Sequence, residues 1–147
     1  MRLFRWTDFT LPSTLQLKYF VSLLIEPVGS QKRESIELGL HEALVNAVIH
    51  GNSSDPDKSL RVRRIITPNW LVWQIQDEGF GLKEAKRVFC LPSDADAESG
   101  RGLFLIHECF DDVRWSPRGN RLQVATRRQK QLMRRTSGIF DFTSDPF

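Results

Sequence analysis

The chain has 147 residues, of which 40% are hydrophobic and 27% are charged, and its formal net charge is +3. These values are ordinary for one soluble globular domain with a buried core, and the lack of any run of about 18 apolar residues excludes a membrane-spanning helix. The start of the chain has no signal-peptide segment, and Cys90 and Cys109 have no metal-site spacing. A reduced, cytoplasmic protein is therefore expected.

The first predicted elements are a strand over residues 3–11 and a helix that runs to about Ile25. Ser13 or Thr14 can cap this helix, since a hydroxyl oxygen accepts a hydrogen bond from a free N–H of the first turn. Residues 26–29 form a connector.

The next element is a long helix over residues 37–51, with Ser30 as a plausible N-terminal cap and Gly51 as a left-handed residue that ends it. Its apolar residues recur with the period of about 3.6 that one face of a helix requires. The stripe consists of Ile36, Leu40, Ala43, Leu44 and Ala47.

Three polar residues interrupt this mostly apolar helix. Glu42, Asn46 and His50 are spaced four apart, so their side chains stack along one side. Buried polar groups need partners, because an unpaired one costs free energy. The stripe therefore indicates either local pairing or a binding site. His50 is predicted to be structural, since imidazoles near a helix end often bind carbonyl groups.

After a loop over residues 52–58, two strands are predicted over residues 60–67 and 70–77, joined by a turn. Asp77 is a carboxylate at the inner end of the second strand's apolar face. The residues that share this face with it are Leu71, Trp73 and Ile75.

The remaining elements complete an α+β layout. Apart from a short helix over 83–89, one further helix and two strands give the order β-α-α-β-β-α-β-β, which predicts a two-layer sandwich of one mostly antiparallel sheet with helices on one face. These elements are a short helix over 83–89, an acidic segment over 91–100, a helix over 103–110 that Arg101 and Gly102 open, and strands over 112–116 and 121–127.

The domain is predicted to span residues 1–128 and to be followed by a basic, then apolar, tail over residues 129–147. From residue 127 onward five basic and two acidic side chains account for the whole net charge, so the body is neutral and direct nucleic-acid binding is not expected. The tail is either poorly ordered or a docking segment.

One group of residues fits an adenine base. Asp77 is followed by Gly79 and Gly81. An ionised aspartate only accepts hydrogen bonds, so it can bind an adenine amino group. The two glycines remove side chains where a flat base must lie against the backbone.

Another group fits phosphates and a metal ion. Gly100 and Gly102 let backbone N–H groups approach phosphates at a helix N-terminus, and Arg101 can add a charged contact. The amide oxygen of Asn46 is a ligand that Mg²⁺ accepts beside phosphates and water. Glu42, one turn earlier, can deprotonate an attacking hydroxyl.

The run from Glu42 through Asn46 to His50 and Gly51, followed by the two glycine motifs, resembles the GHKL ATP-binding superfamily, named for gyrase, a heat-shock chaperone, histidine kinases and MutL. Residues 30–127 carry this resemblance. Within the superfamily the chain is most similar to the small stand-alone anti-sigma-factor serine kinases.

The resemblance implies a Bergerat-type sandwich that binds ATP and Mg²⁺ under a mobile lid over about residues 83–99. It implies Asn46 as the metal ligand, Glu42 as the general base, Asp77 as the adenine reader and the turn of Gly100 and Gly102 as the phosphate cradle. It also implies phosphoryl transfer to a serine of a small antagonist protein, sequestration of a sigma factor and a possible homodimer.

One departure keeps a second function open. Relatives often carry an arginine where this chain has Glu98, so contact with the terminal phosphate passes to Arg101 or transfer is slow. The alternative is a non-catalytic module whose partner affinity is gated by ATP. The catalytic domain of a sensor histidine kinase is disfavoured, because the chain has no room for a phosphoacceptor helical hairpin.

Overall fold

The computed structural model describes residues 4–84, Arg87 and residues 98–129, the first three residues of the last range by their backbone alone. The elements are β1 (Arg5–Pro12), α1 (Lys18–Leu24), α2 (Arg33–Asn46), a π-helical continuation of α2 (Ala47–Gly51, the π segment), β2 (Ser59–Ile66), β3 (Trp70–Gln76), α3 (Glu98–Cys109), β4 (Asp112–Trp115) and β5 (Arg121–Arg127). No helix within these described ranges has the length and apolar character needed to cross a membrane.

The strands form one five-stranded sheet in the order β1-β2-β3-β5-β4. Every neighbouring pair is antiparallel, and β3 lies at the centre. The α+β fold predicted from the order of elements is confirmed, and the predicted turn between β2 and β3 is present.

The central strand β3 has one face in the core, as its alternating sequence predicts. Leu71 and Ile75 are each 2% exposed, and Trp73 is fully buried. The indole N–H of Trp73 donates to the carbonyl of Leu24 at the end of α1 (3.1 Å), which ties this helix to the sheet. Asp77 follows on the same side, where the strand ends.

The helices α2 and α3 approach each other closely at Gly39. A Cβ at this position would lie 2.6 Å from the Phe110 ring and 2.7 Å from the Cβ of Cys109. Gly39 is therefore a packing residue, since any side chain would force the helices apart. The buried residues of α2 are Ile36, Gly39, Leu40, Ala43 and Leu44.

The predicted helix caps are wrong. The helix α1 begins at Lys18, and the structure has no side-chain hydrogen bond at its cap, Leu17. Ser13 is buried instead, where its hydroxyl accepts a hydrogen bond from Asn52. The cap of α2 is Lys32 rather than Ser30, and it too makes no side-chain cap bond.

Gly51 does not end its helix in the left-handed conformation that the sequence predicts. Among the described glycines only Gly81 and Gly119 have a positive φ. The π segment instead carries the helix through Gly51. Glycine is required at position 51 for a different reason, because the end of β3 packs directly against it.

The last helix begins earlier than predicted. Because α3 starts at Glu98, Gly100 and Gly102 lie within its first turns and do not form a turn ahead of it. The predicted helix over 83–89, the implied lid over 83–99 and the tail over 129–147 lie mostly outside the described residues.

Candidate functional site

The central helix meets the first turns of α3 at two polar residues. A Cβ built on Gly102 would lie 3.3 Å from the amide nitrogen and oxygen of Asn46 and 3.3 Å from a carboxylate oxygen of Glu42. Gly102 is buried, and Glu42 and Asn46 are half-buried. Glu42 and Asn46 therefore lie beside Gly102, although they precede it by 60 and 56 residues in the sequence.

The absence of a side chain at Gly102 keeps this contact open. A methyl group there would lie in tight contact with both polar side chains, which would have to shift by a few tenths of an ångström to accommodate it. The backbone N–H groups of the first turn of a helix also favour an anion. Arg101 is exposed beside them and adds a positive charge.

The other end of the same helix meets the end of β3. A Cβ on Gly51 would lie 2.2 Å from the carboxyl carbon of Asp77, and a Cβ on Gly79 would lie 2.1 Å from the Gly51 carbonyl oxygen. Both glycines are thus required by close contact between the helix end and the strand end. The predicted strand-end motif therefore packs against the C-terminal end of the same helix that carries Glu42 and Asn46.

Asp77 is half-buried and has few partners of its own. One of its carboxylate oxygens accepts a hydrogen bond from the Gly79 N–H (2.8 Å). Burial raises the pKa of Asp77 above its usual value, against the opposing effects of the Gly79 N–H and of the charges on Lys58 and Arg118. A carboxylate shifted in this direction is common where a protein binds a ligand or does chemistry.

The backbone conformation and packing at position 81 require a glycine. Its φ is +95°, and a Cβ would lie 1.9 Å from the carbonyl oxygen of Arg118. The next residue, Leu82, donates its N–H to the Gly119 carbonyl (2.8 Å), so the segment after Asp77 packs against the β4–β5 turn. Contact between a base and Gly79 or Gly81 stays a prediction.

One residue of this region is missed by reading the sequence. Asn52 lies in a stretch whose composition indicates a loop, yet it is fully buried. Its carboxamide joins the helix end to Ser13, Ser59 and the backbone N–H of Glu78. Composition gave no signal for it, because Ser13 and Glu78 are distant in sequence.

The residues that could hold a metal ion are few. In the part of the chain that the structure describes, no three His, Cys, Asp or Glu side chains form a metal-binding group. Asn46 supplies one hard amide oxygen, and Glu42 lies one turn away. This set fits a Mg²⁺ ion that shares its coordination with phosphate and water, since such ions take few protein ligands.

Comparison with known proteins gives a consistent result. Residues 18–126 match the family model described as "Histidine kinase-like ATPase domain". Similar proteins include the anti-sigma F factors of Geobacillus stearothermophilus and Geobacillus kaustophilus strain HTA426, each 27% identical over 92 residues. The alignment covers 60% of this chain and 62% of each relative, so the chain spans less than two thirds of their length.

Proposed function

The chain belongs to the histidine kinase-like ATPase domain family, and from this premise we propose that it binds ATP and Mg²⁺ and transfers the γ-phosphoryl group to a serine of a partner protein. The site lies between α2 with its π segment, the loop after β3 and the first turns of α3. The meeting of Glu42 and Asn46 with Gly102 supports this proposal most directly.

Asp77 selects the base. Its carboxylate accepts a hydrogen bond from the exocyclic amino group of adenine, which an ionised aspartate is suited to do. The half-buried setting strengthens this contact, because water competes less for the carboxylate than it would at an exposed position. Guanine presents a carbonyl oxygen at the same place, which the carboxylate repels.

The phosphates lie at the first turns of α3. The N–H groups of this turn and Arg101 bind phosphate oxygens, and Gly102 keeps the approach open. Asn46 would hold Mg²⁺ through its amide oxygen, and a metal ion held there would neutralise charge on the phosphates.

Glu42 orients and deprotonates the attacking serine. The hydroxyl oxygen forms a bond to the γ-phosphorus, its proton passes to the Glu42 carboxylate, and the bond from the γ-phosphorus to the bridging oxygen breaks to release ADP. Phosphoryl transfer is mostly positioning and charge neutralisation, so this small set of residues is sufficient.

The similarity to anti-sigma F factors supports the choice of partners. The phosphate acceptor is a small antagonist protein, and the second partner is a sigma factor that the chain sequesters. A homodimer of this chain is compatible with both.

The test is transfer of label from γ-labelled ATP to candidate antagonist proteins. Glu42→Gln should abolish labelling and keep ATP binding, because the amide cannot accept the proton. Glu37→Gln, an exposed position on the same helix, is the matched control and should label as wild type does. Labelling by Glu42→Gln at the wild-type rate would contradict the general-base role.

The same experiment separates a second function, a non-catalytic module gated by ATP. Glu98 favours this function, since a carboxylate does not stabilise a terminal phosphate, and the resemblance to the anti-sigma-factor kinases implies an arginine at this place. Partner binding that depends on ATP, with no label on any protein, would support it and would overturn transfer.

A further inference from the structure

Asn52 uses its whole carboxamide, although it lies in a connecting segment. Its Nδ2 group donates to the Ser13 hydroxyl (3.3 Å) and to the Ser59 carbonyl (3.1 Å), and its Oδ1 accepts from the Glu78 N–H (2.8 Å). The side chain has no solvent exposure. It therefore links the helix end with the starts or ends of three strands.

The bond to Glu78 acts on the segment that carries Asp77. The Glu78 N–H belongs to the peptide that joins Asp77 to Glu78, and the following residue, Gly79, donates to the Asp77 carboxylate. Oδ1 of Asn52 therefore fixes this peptide relative to the helix end. The orientation of the carboxylate depends on the same short stretch of backbone.

Other contacts show how tightly this stretch is packed. Neither Gly51 nor Gly79 has room for a Cβ. The Glu78 carboxylate also accepts from the Ser59 N–H (2.6 Å), so Ser59 is bound to both Asn52 and Glu78. A small change in the Asn52 bond would therefore be transmitted to Asp77.

We propose that Asn52 is a positioning residue that orients Asp77 and thereby sets the preference of the site for adenine over guanine. This inference rests on the proposed ATP-binding function. An amide is required, because the position needs one acceptor for the Glu78 N–H and donors for two oxygens at the same time. Neither aspartate nor leucine meets both needs.

Two substitutions separate the loss of the bond to Glu78 from the loss of one partner of the donor end. Asn52→Leu removes the acceptor for Glu78 and both donors in a side chain of similar shape. Ser13→Ala removes only one partner of the donor end, far from Asp77 along the chain. Both substitutions should lower the melting temperature, because each leaves a buried polar group without a partner.

The readout is the ratio of the dissociation constants for GTP and ATP, measured by calorimetry together with the melting temperature. Asn52→Leu should lower this ratio by about tenfold or more, since a misplaced acceptor no longer discriminates between the bases. Ser13→Ala should keep the ratio within about twofold of wild type. If Asn52→Leu does not fold, Asn52→Ala is measured by the same criteria.

Equal losses of selectivity in Ser13→Ala and Asn52→Leu would show a merely structural role and overturn the inference. An unchanged ratio in a folded Asn52→Leu or Asn52→Ala protein would do the same while leaving the proposed function intact. Wild-type protein that binds neither nucleotide would overturn the proposed function and the inference together.

Discussion

Asp77 and Asp111 lie next to strands at different places in the sheet, and their surroundings shift the pKa of the two carboxyl groups in opposite directions. Asp111 accepts hydrogen bonds from Lys32 Nζ (3.1 Å), the Thr126 hydroxyl (3.0 Å) and the Arg127 N–H (2.7 Å). These donors, and the charge of Lys32, hold its pKa below the usual value despite an opposing effect of partial burial. Burial has the larger effect at Asp77 and raises its pKa.

The difference separates a structural carboxylate from one suited to a ligand. The donors around Asp111 join α2, the α3–β4 connection and β5, so its charge is used within the fold. Among the described residues, the hydrogen bond that Asp77 accepts comes from Gly79. Under the proposed function its remaining acceptor capacity binds the ligand, and burial of the charge costs stability in the free protein.

The largest expected effect comes from disrupting the close contact between the helix end and Asp77. Gly51→Ala places a methyl group against the Asp77 carboxyl, and overpacking of this kind costs about 1–3 kcal/mol. We expect a large fall in the free energy of unfolding, measured by chemical denaturation, and loss of ATP binding.

The control for this substitution is Gly29→Ala. A Cβ at Gly29 would meet the side chain of Gln129 at 3.8 Å, which is an ordinary contact. This variant should unfold close to wild type, within about 0.5 kcal/mol. A Gly51→Ala protein as stable as Gly29→Ala would contradict the close packing of helix and strand ends.

Exchanging each carboxylate for an amide should separate binding from stability. Asp77→Asn should weaken ATP binding by about 10- to 100-fold, since hydrogen bonds to charged groups contribute about 1.5–3 kcal/mol. Asp111→Asn should leave the dissociation constant within about twofold. Calorimetric titration measures both, and equal losses in the two variants would remove the functional distinction between the aspartates.

The Asp111→Asn substitution should instead reduce the stability of the fold. Asp111→Asn should lower the free energy of unfolding at neutral pH by about 1 kcal/mol, a modest value because the Asp111 side chain is 40% exposed and solvent screens its ion pair. A folded pKa below the usual value means that this contribution is present above the usual pKa and is lost as pH falls through the folded pKa. Denaturation at pH 7 and at acid pH measures it, and a deficit that persists after full protonation would contradict this origin.

The smallest effect concerns the stability contribution of Asp77. Because its folded pKa is raised, protonation stabilises the native state below the usual pKa of 3.8, and this stabilisation is lost as pH rises through the folded pKa. Asp77→Asn should therefore be slightly more stable than wild type at neutral pH, with a difference that shrinks as pH falls. A neutral-pH loss of stability in this variant would contradict the burial effect.

Local patterns predicted the parts of the molecule that depend on period and spacing. The alternation of Leu71, Trp73 and Ile75 identified the core face of β3, and the four-residue spacing of Glu42 and Asn46 placed both on the side that meets α3. Each of these features depends on residues close together in sequence, where helix and strand geometry applies directly.

Features that depend on distant contacts were not predicted. Gly51 was expected to adopt a left-handed conformation, but its small size is required by Asp77, which lies about 26 residues further along the chain. Ser13 was expected to cap a helix, but Asn52 binds its hydroxyl. Composition does not reveal which distant group will approach a glycine or a serine.

In the proposed site the helix end, the strand end and the first turns of α3 bind a single ATP molecule with Mg²⁺. The most direct test of this proposal is calorimetric titration of ATP into wild-type and Asn46→Ala protein, each with Mg²⁺ and with a chelator. We predict that wild type binds more tightly with Mg²⁺ and that Asn46→Ala keeps the metal-independent part and loses the gain. Equal gains from Mg²⁺ in the two proteins, or no binding of ATP by wild type, would contradict the proposal.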